Sequence, residues 1–415
     1  MNRMIHGITG FLKHFLLLCL CAVLFTGSAL AANEVLDISS EGYDSMEYAL
    51  TLPDGRLVFT GKHGEPGNYM NSRARLLCLN PDRTVSWEYI HPAEGSWGAH
   101  GVVLMKDGTL CVRLTNSPYQ TLAEDKLVFF TQDGQLTGRE IPLEEKETKE
   151  GFFRYGISDY GMITYYVTHE AEDWDKEYRE FSDWDGNVLF RTEGNSAFLT
   201  DRTIEEEDGV VLIGYENGKN GAGKIMKLDW QGNTVWETVV PFLTDANGGA
   251  MLHCGMKTSD GGYLAVLMER PLDISSGRWK TALVKFSSTG RILWQNAESF
   301  DRQPDSMFPD LIEYDGKYVL ECEDRERFAS LDIPIRYMWF DADGNELGIT
   351  ELSVRKEELP RLEKSKKASL FCGSLFVMGN ELWTDCMSDN DSDNHEKQMA
   401  SVDTVLIRIP ELGAE

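Results

Sequence analysis

Short runs rich in Val, Ile, Leu, Tyr and Phe alternate along the chain with polar turn sequences that contain Asp-Gly, Gly-Asn or related pairs. These pairs tolerate positive φ and join adjacent strands as hairpins, so the pattern predicts antiparallel β-strands. One series of turns recurs at intervals of about 50 residues. Its leading positions are Asp54, Asp107, Asp159, Asp208, Asp260, Asp315 and Gly379.

A second series of turns lies between the members of the first, as in "CLNPDRTVSWEYI" and "KLDWQGNTVWETV". In this series a turn glycine, or Arg83 in its place, precedes an apolar anchor by four positions. Each repeat therefore contains two hairpins and four strands, A to D. The anchors are Trp87, Phe190, Trp236 and Trp294, with Gly138 and Gly348 in the two weaker copies.

Four-stranded repeats of this length are typical of the blades of a β-propeller. One such sheet cannot bury both faces, whereas blades packed around an axis can, with the large anchor filling the gap between neighbours. The last repeat stops after three strands, and residues 34–39 would supply its fourth strand, which closes the ring and removes an exposed edge. We predict an all-β fold with one seven-bladed propeller over residues 33–415. Six or eight blades remain as alternatives because the last repeat is long and irregular.

The first 32 residues are expected to lie outside this fold. Arg3 and Lys13, an apolar run, and the small residues Ala29 and Ala31 form the pattern of a secretory signal peptide. The run is shorter than the ~20 apolar residues of a membrane span. We therefore predict export, with no transmembrane segment after cleavage. The net charge of −28 repels nucleic acid and anionic membranes, so neither is an expected partner.

Eight cysteines are too few for a disulfide scaffold in this chain, and the absence of a CxxC pair excludes a zinc ribbon. Most of them lie in apolar strand patterns, which predicts buried thiols. Cys372 and Cys386 flank the turn at Gly379 and Asn380. Simple pairing across this turn would place Cys372 opposite Met387, but a bulge would bring it opposite Cys386. The two cysteines are a candidate disulfide.

The C–D motif resembles the repeat of secreted bacterial propellers of the PQQ-like type, which carry a Gly-x-x-x-Trp docking anchor. The best copies are "SSTGRILW" and "WQGNTVW". The usual Asp-x-x-x-Thr-Gly spacing is absent from most repeats, so the resemblance implies the superfamily and not a quinone cofactor. Sialidase-type Asp boxes match worse, because there Trp follows Gly by three.

Two histidines share one register: His100 in "AHGVVLMKDGTL" and His253 in "LHCGMKTSDGGYL" stand seven positions ahead of Asp107 and Asp260. The first segment is similar to the His-x6-Asn/Asp-Gly pattern of arylsulfotransferase-like propellers. There an inward histidine attacks a sulfate ester, helped by further histidines and an arginine. The resemblance implies His100 and His253 as candidate catalytic residues, although the paired histidines of that family are absent from this sequence.

Both histidines open their A strands, which line the channel of a propeller, so we expect them near its mouth and facing one another. Glu47 and Asp201 hold the same register and would add carboxylates there. Polar residues at a hydrated axis would produce the same pattern without any chemistry. Metal binding or sulfuryl transfer would need a neutral imidazole.

The D–A and B–C loops share one face of a propeller, which we call the loop face. In this chain they carry aromatic residues suited to sugar or peptide contact, although each can instead pack on its own blade. Arg278 and Lys280 flank one of them and would contact an anionic ligand. The aromatic residues are Tyr69, Trp97, Tyr119, Trp174 and Trp279.

The segment "CMSDNDSDNHE" suggests a cation site, because Asp389, Asp391 and Asp393 alternate as in the first half of a calcium loop. The twelfth position is Ala400 and not the Glu that bidentate ligation needs. A solvated loop is therefore the competing interpretation, and calcium is the one candidate cofactor.

Motifs of the common hydrolases, P-loop enzymes and zinc proteases are missing from this sequence. We favour an exported propeller that binds an extracellular protein, peptide or glycan through its loop face and central channel. The alternative is an enzyme of the arylsulfotransferase-like or lyase type that uses His100 and His253.

Overall fold

The computed structural model describes residues 34–39, 43–64, 71–93, 95–116, 124–143, 153–157, 161–170, 173–184, 187–193, 198–216, 221–243, 247–271, 279–302, 306–307, 310–324, 334–359, 368–390 and 402–413. Within these ranges the chain forms seven antiparallel sheets, six of four strands and one of five. All of them belong to one compact unit, Val35–Glu415. The predicted all-β propeller is confirmed. In the described part of the chain, no helix is long and apolar enough to cross a membrane.

The chain enters the fold with β1 (Val35–Asp37) and then builds the blades in order. Blade 1 contains β2 (Tyr43–Thr51), β3 (Leu57–Gly64), β4 (Ser72–Leu79) and β5 (Val85–Ile90). Blade 2 contains β6 (Trp97–Leu104), β7 (Leu110–Asn116), β8 (Glu124–Phe130) and β9 (Leu136–Pro142). Blade 3 contains β10 (Phe153–Ile157), β11 (Met162–Glu170), β12 (Asp173–Ser182) and β13 (Val188–Glu193).

The second half of the chain repeats this plan, with short 3-10 helices at Glu298–Arg302 and Lys356–Glu358. Blade 4 contains β14 (Phe198–Glu206), β15 (Gly209–Glu216), β16 (Gly223–Asp229) and β17 (Thr234–Val239). Blade 5 contains β18 (Asn247–Lys257), β19 (Tyr263–Pro271), β20 (Lys280–Phe286) and β21 (Ile292–Asn296). Blade 6 contains β22 (Ser306–Met307), β23 (Leu311–Tyr314), β24 (Lys317–Asp324), β25 (Ile335–Phe340) and β26 (Glu346–Leu352). Blade 7 contains β27 (Ala368–Met378), β28 (Glu381–Asn390) and β29 (Val402–Arg408).

The last blade is completed by the start of the chain, as predicted. Strand β1 pairs with β29, with Leu36 opposite Leu406. Blade 7 is also joined to blade 1, because the Thr404 hydroxyl accepts a hydrogen bond from Met46 N at 3.1 Å and donates one to the Asp44 carbonyl. The two ends of the chain therefore close the ring through main-chain and side-chain bonds.

The large anchors lie between neighbouring blades, also as predicted. A Cβ added to the C–D turn glycine of one blade would clash with the side chain of the preceding blade's anchor, so glycine is required there. The closest approaches are Gly134 to Trp87 at 2.5 Å, Gly232 to Phe190 at 2.9 Å, Gly290 to Trp236 at 2.3 Å and Gly344 to Trp294 at 2.6 Å. Arg83, which replaces the turn glycine in blade 1, has the same left-handed conformation, with φ of 73°.

The apolar faces of the strands form a core between and within the blades, and it includes most of the cysteines. Four cysteines are free and buried, as the strand pattern predicted. Burial raises the pKa of the Cys111 thiol to about 12, so this thiol stays protonated and unreactive. The four are Cys78, Cys111, Cys254 and Cys322.

Candidate functional site

The inner A strands are interrupted at one level, five to seven positions ahead of the A–B turn. In five blades the A–B ladder shifts register there, which marks a β-bulge. In blade 6 the inner strand is split into β22 and β23, with Asp310 directly before β23. Bulges re-aim neighbouring side chains. The bulges lie at Glu47, Gly101, Asp201, Cys254 with Gly255, and Gly373 with Ser374.

The shared register of His100 and His253 is explained by these bulges, since each histidine directly precedes one. The next residues, Gly101 and Cys254, have φ of 73° and 52°. Cys254 is thus a non-glycine residue in the left-handed region, which costs about 1 kcal/mol. The histidine register is a property of the bulged inner strand and not of the turn that follows it.

Two carboxyl groups meet at the bulge of blade 7. Asp310 Oδ2 accepts a hydrogen bond from Leu375 N at 2.7 Å, and Asp385 Oδ1 accepts one from Ser374 N. Consecutive backbone amides therefore hold carboxyl groups from two different blades. A Cβ on Gly373 would lie 2.9 Å from Asp385 Oδ2, so this close approach requires a residue without a side chain.

The electrostatics link these carboxyl groups to two further blades. Burial raises the pKa of Asp385 to about 7, and the nearby charge of Asp310 adds to the shift. Burial also raises the pKa of Asp310, while hydrogen bonds from backbone amides and the charges of Arg202 and His253 act in the opposite direction. We call Arg202, His253, Asp310 and Asp385 the channel cluster. Asp385 is 3% exposed, whereas Arg202 is exposed and Asp310 half-buried, so the cluster opens to solvent.

His100 has different neighbours from His253. A Cβ on Gly98 would lie 2.6 Å from both His100 Nε2 and Lys62 Cε, so these side chains meet over one glycine. Arg113, directly opposite His100 in the strand pair, forms an ion pair with Asp125 at 2.6 Å. His100 therefore lies beside Lys62 and the Arg113–Asp125 ion pair, while His253 lies near Asp310.

A buried ion pair lies in blade 1. Asp44 is fully buried and contacts Arg75 and His63 Nδ1, each at 3.1 Å. Arg75 also bonds Glu88 at 2.8 Å. Breaking such a pair leaves an uncompensated buried charge, so we assign this group a structural role.

Sequence reasoning missed the channel-cluster residues other than His253. Asp310 and Asp385 stand in apolar strand patterns that resemble those of the other blades. Their partners include backbone amides more than ten positions away or in another blade. The one usable signal was the histidine register, which marks the bulged level to which the cluster belongs.

Trp97, a candidate contact residue of the loop face, is buried between two blades. Its side chain is 3% exposed and packs against the His91 ring at 4.4 Å, because the first residue of β6 points between blades 1 and 2. Trp279 is half-buried and packs against the core of blades 5 and 6. Trp174, which was expected in a loop, belongs to strand β12.

Several predicted site residues are placed only by their backbone or not at all. Glu47, Asp201 and Asp389 lie in strands, but the structure describes nothing of their side chains. No group of three or more His, Cys, Asp or Glu side chains among the described residues is arranged to hold a metal. The calcium loop stays a prediction, as does the signal peptide. The residues outside the described ranges are Tyr69, Tyr119, Arg278, Asp391 and Asp393.

The bulge that would bring Cys372 opposite Cys386 is present in blade 7. The Cα of Cys372 lies opposite Cys386, and the register shifts between Cys372 and Leu375. Simple pairing with Met387 is wrong, since Phe371 lies opposite Met387. Cys386 is disulfide-bonded. Its bond to Cys372 is a proposal that peptide mapping can test.

Comparison with known proteins identifies no family. No protein-family model matches the chain, and no curated protein sequence matches it. Solved structures with similar folds include one from a study of two prolyl endopeptidases, with 9% identity and a TM-score of 0.45, covering 87% of this chain and 48% of that one. This chain therefore spans about half the length of that protein.

Two other structures are covered almost completely. YCF48 bound to D1 peptide has 10% identity and a TM-score of 0.46, and the match covers 92% of this chain and 96% of that one. The WD40 domain of SCAP from fission yeast has 8% identity and a TM-score of 0.34, with 91% and 98% covered. At these values the similarities carry no information on function.

Proposed function

We propose that the protein is an exported propeller, related to the PQQ-like and arylsulfotransferase-like superfamily, that binds a peptide segment of an extracellular protein at the mouth of its channel. The channel cluster is the observation that carries the proposal. Arg202, His253, Asp310 and Asp385 come from four consecutive blades and act on one another electrostatically. They belong to the level at which the inner strands are interrupted.

Asp310 has capacity to bind a ligand. A carboxylate can accept about four hydrogen bonds. The amides of Leu375 and Leu311 use part of that capacity, and the residue as a whole is only half-buried. A ligand donor can therefore reach Asp310 without displacing the amides that hold it.

The charges favour a basic peptide. The chain has a net charge of −28, which attracts cationic partners over long distances. Asp310 suits the ammonium or guanidinium group of a Lys or Arg side chain, and exposed Arg202 suits a peptide carbonyl beside it. We infer that the bound segment carries at least one basic residue.

Selection of peptides from a random displayed library tests this proposal. The channel-facing variant is Asp310→Asn, which keeps an oxygen for the Leu375 amide but loses the charge. The matched control is Asp315→Asn, which makes the same change at the exposed A–B turn of the same blade. Calorimetry with the selected peptides should show affinity weakened about tenfold or more by Asp310→Asn, as expected for a charged hydrogen bond.

Asp315→Asn should bind these peptides as the wild type does. Selection that yields no basic peptides, or peptides that bind wild type and Asp310→Asn equally, would refute the proposal.

Acid–base catalysis is a second candidate, and one observation favours it. Asp310 and Asp385 interact, and burial raises the pKa of both, which is how paired carboxyl groups keep a proton near neutral pH. This function predicts turnover of a small ester or glycan that is lost in His253→Ala and in Asp310→Asn. A broad substrate panel without turnover would eliminate it.

A further inference from the structure

One large aromatic residue is exposed on an inner strand of the ring. It is Tyr48 of β2, which is 48% exposed. Every other large apolar residue that is exposed in the described part of the chain lies on an outer strand or shortly after one. These residues are Val85, Leu136, Val188, Leu189, Val235, Val239, Phe242, Leu293 and Leu347. Tyr48 is therefore set apart from them by its place next to the central channel.

The exposed side of Tyr48 faces the channel. Its strand is the first of the four in blade 1, so one edge of β2 pairs with β3 and the other is the innermost edge of the blade. Thr60, which lies opposite Tyr48 in this pair, is fully buried, so the blade is covered on the side of β3. A residue exposed in the middle of β2 is consequently exposed on the channel side.

Tyr48 holds the same position in its blade as Arg202 of the channel cluster. They stand six positions ahead of the A–B turn residues Asp54 and Asp208, and each directly follows the bulged residue of its inner strand. Arg202 is exposed, and its charge acts on Asp310. The shared backbone position puts Tyr48 at the level of the channel cluster. Because blade 1 also packs on blade 7, Tyr48 extends the wall formed by the cluster to a fifth blade.

The channel has open space next to this position. The equivalent residue of the neighbouring blade 2 is Gly101, and no described atom would lie within 4 Å of a Cβ added to it. The Tyr48 side chain itself makes no ring contact or hydrogen bond in the described part of the chain. A ligand in the channel can therefore reach the ring without displacing a partner from it.

The charges at this level favour a cation as the partner of the ring. The face of an aromatic ring carries partial negative charge and attracts ammonium and guanidinium groups. Asp310 and Asp385 bring two carboxyl groups to the junction of blades 6 and 7, and the chain as a whole has a net charge of −28. A cationic ligand is attracted to this wall of the channel, whereas an anionic one is repelled.

We propose that Tyr48 is a specificity-determining residue of the peptide site and selects arginine, whose guanidinium stacks on the ring. This inference rests on the proposed function and identifies the basic residue of the bound segment. A guanidinium is planar and more weakly hydrated than the compact ammonium of lysine, so it stacks better on an aromatic face. Its N–H groups stay free to donate in the plane, so stacking on Tyr48 is compatible with pairing to Asp310.

Titration of the full chain with defined probes, followed by nuclear magnetic resonance, tests this role. The first probe is N-acetylarginine N-methylamide. The second is the citrulline analogue, which keeps the planar shape and loses the charge, and the third is the lysine analogue, which keeps the charge and loses the plane. The wild type should bind the arginine probe more tightly than either of the others.

Two variants separate the ring from its bulk. Tyr48→Leu keeps an apolar side chain and loses the ring, so it should bind the arginine probe about threefold to fivefold more weakly, as expected for an exposed cation–π contact. It should also lose the preference for arginine over lysine. Tyr48→Phe keeps the ring and should bind as the wild type does. The matched control is Phe242→Leu, which removes an exposed ring at the outer edge of blade 4 and should leave the affinity unchanged.

Asp310→Asn distinguishes failure of this inference from failure of the proposed function. If Asp310→Asn weakens binding of the arginine probe and Tyr48→Leu does not, the role of Tyr48 is overturned and the proposed function stands. If Tyr48→Leu weakens binding and Asp310→Asn does not, the ring contact stands and the role of the carboxylate is overturned. Equal affinity of the wild type for the arginine and lysine probes would overturn the selection of arginine, and no binding of the arginine probe would overturn both proposals.

Discussion

At the outer edge of the blades, one large ring meets one glycine of the next blade, and this contact recurs with the same spacing at four junctions. At the inner edge, charged side chains from blades 4 to 7 meet around backbone bulges, and each blade contributes a different residue. The outer contact repeats because every junction must fill the same gap. The inner cluster does not repeat, because each of the four blades contributes one side chain of a different kind to a single group.

The difference separates what holds the blades together from what acts between them. The outer anchors bury apolar surface, which stabilises without regard to direction. The inner carboxyl groups are costly to bury and depend on the amides of one bulge. We therefore expect changes at the outer edge to alter stability, and changes at the inner edge to alter pH dependence and binding.

The largest effect is expected for Gly290→Ala. Its new Cβ would lie 2.3 Å from the Trp236 ring, and the residue would keep a φ of 76°. Overpacking and the left-handed conformation together should lower the free energy of unfolding by about 3 kcal/mol or more, measured by denaturant titration.

Gly261→Ala is the matched control, since its φ is 82° and no described atom would lie within 4 Å of the added Cβ. It should cost about 1–2 kcal/mol. In a Trp236→Ala background, Gly290→Ala should cost no more than Gly261→Ala. If Gly290→Ala and Gly261→Ala lower the free energy of unfolding equally in the otherwise wild-type protein, the contact between Gly290 and Trp236 is not tight.

Cys386→Ser should lower the free energy of unfolding by about 2–3 kcal/mol, because the disulfide closes a short loop in the unfolded chain. Non-reducing peptide mapping should recover Cys386 linked to Cys372. A link to another cysteine would contradict the pairing proposed from the bulged register. Cys322→Ser, at a free buried thiol, should leave the linked peptide unchanged.

Asp385 should make stability fall as pH rises. Its folded pKa is about 7, above the ordinary value, so the folded state binds more protons than the unfolded state between about pH 4 and 7. The stabilisation is fully present below the unfolded pKa and is lost as pH rises through the folded pKa. Relative to Asp385→Asn, the wild type should lose about 2 kcal/mol of unfolding free energy between pH 5 and pH 8.

Asp385→Asn keeps an oxygen for Ser374 N, so the bulge should survive. The exposed-turn variant Asp315→Asn should show the pH profile of the wild type. A wild-type profile that matches that of Asp385→Asn would show that Asp385 is ionised across this range.

The smallest effect is expected for Leu293→Ala, one position ahead of the anchor Trp294. Leu293 is 46% exposed, so the change should alter the free energy of unfolding by less than about 0.5 kcal/mol. Trp294→Ala should cost about 2–3 kcal/mol, at the lower end for a large aromatic because Trp294 is half-buried. If Leu293→Ala and Trp294→Ala lowered the free energy of unfolding by similar amounts, the four-position spacing from turn glycine to anchor would be contradicted.

Much of the fold was predictable because it depends on short-range patterns. The turn series and the anchor spacing each rest on residues near one another in sequence. The strand of residues 34–39 pairs with a distant strand, but it was predictable because the last repeat lacks one strand. Even the replacement of a turn glycine by Arg83 was visible, and its left-handed φ followed from the repeat. The burial of Trp97 between blades 1 and 2 was not predictable, because a loop sequence does not reveal which neighbouring blade will cover it.

The sequence by itself determined the all-β repeat, the strand that closes the ring and the positions that dock one blade on the next. It favoured seven blades, and the structure decided that number. Only the tertiary structure decided which charged residues lie together at the inner strands and which aromatic side chains are buried between blades. The physical reason is distance along the chain. Packing of repeated apolar anchors is set by local spacing, whereas Asp310 and Asp385, 75 positions apart, come together only when blade 7 packs on blade 6 and its bulge offers two consecutive amides to them.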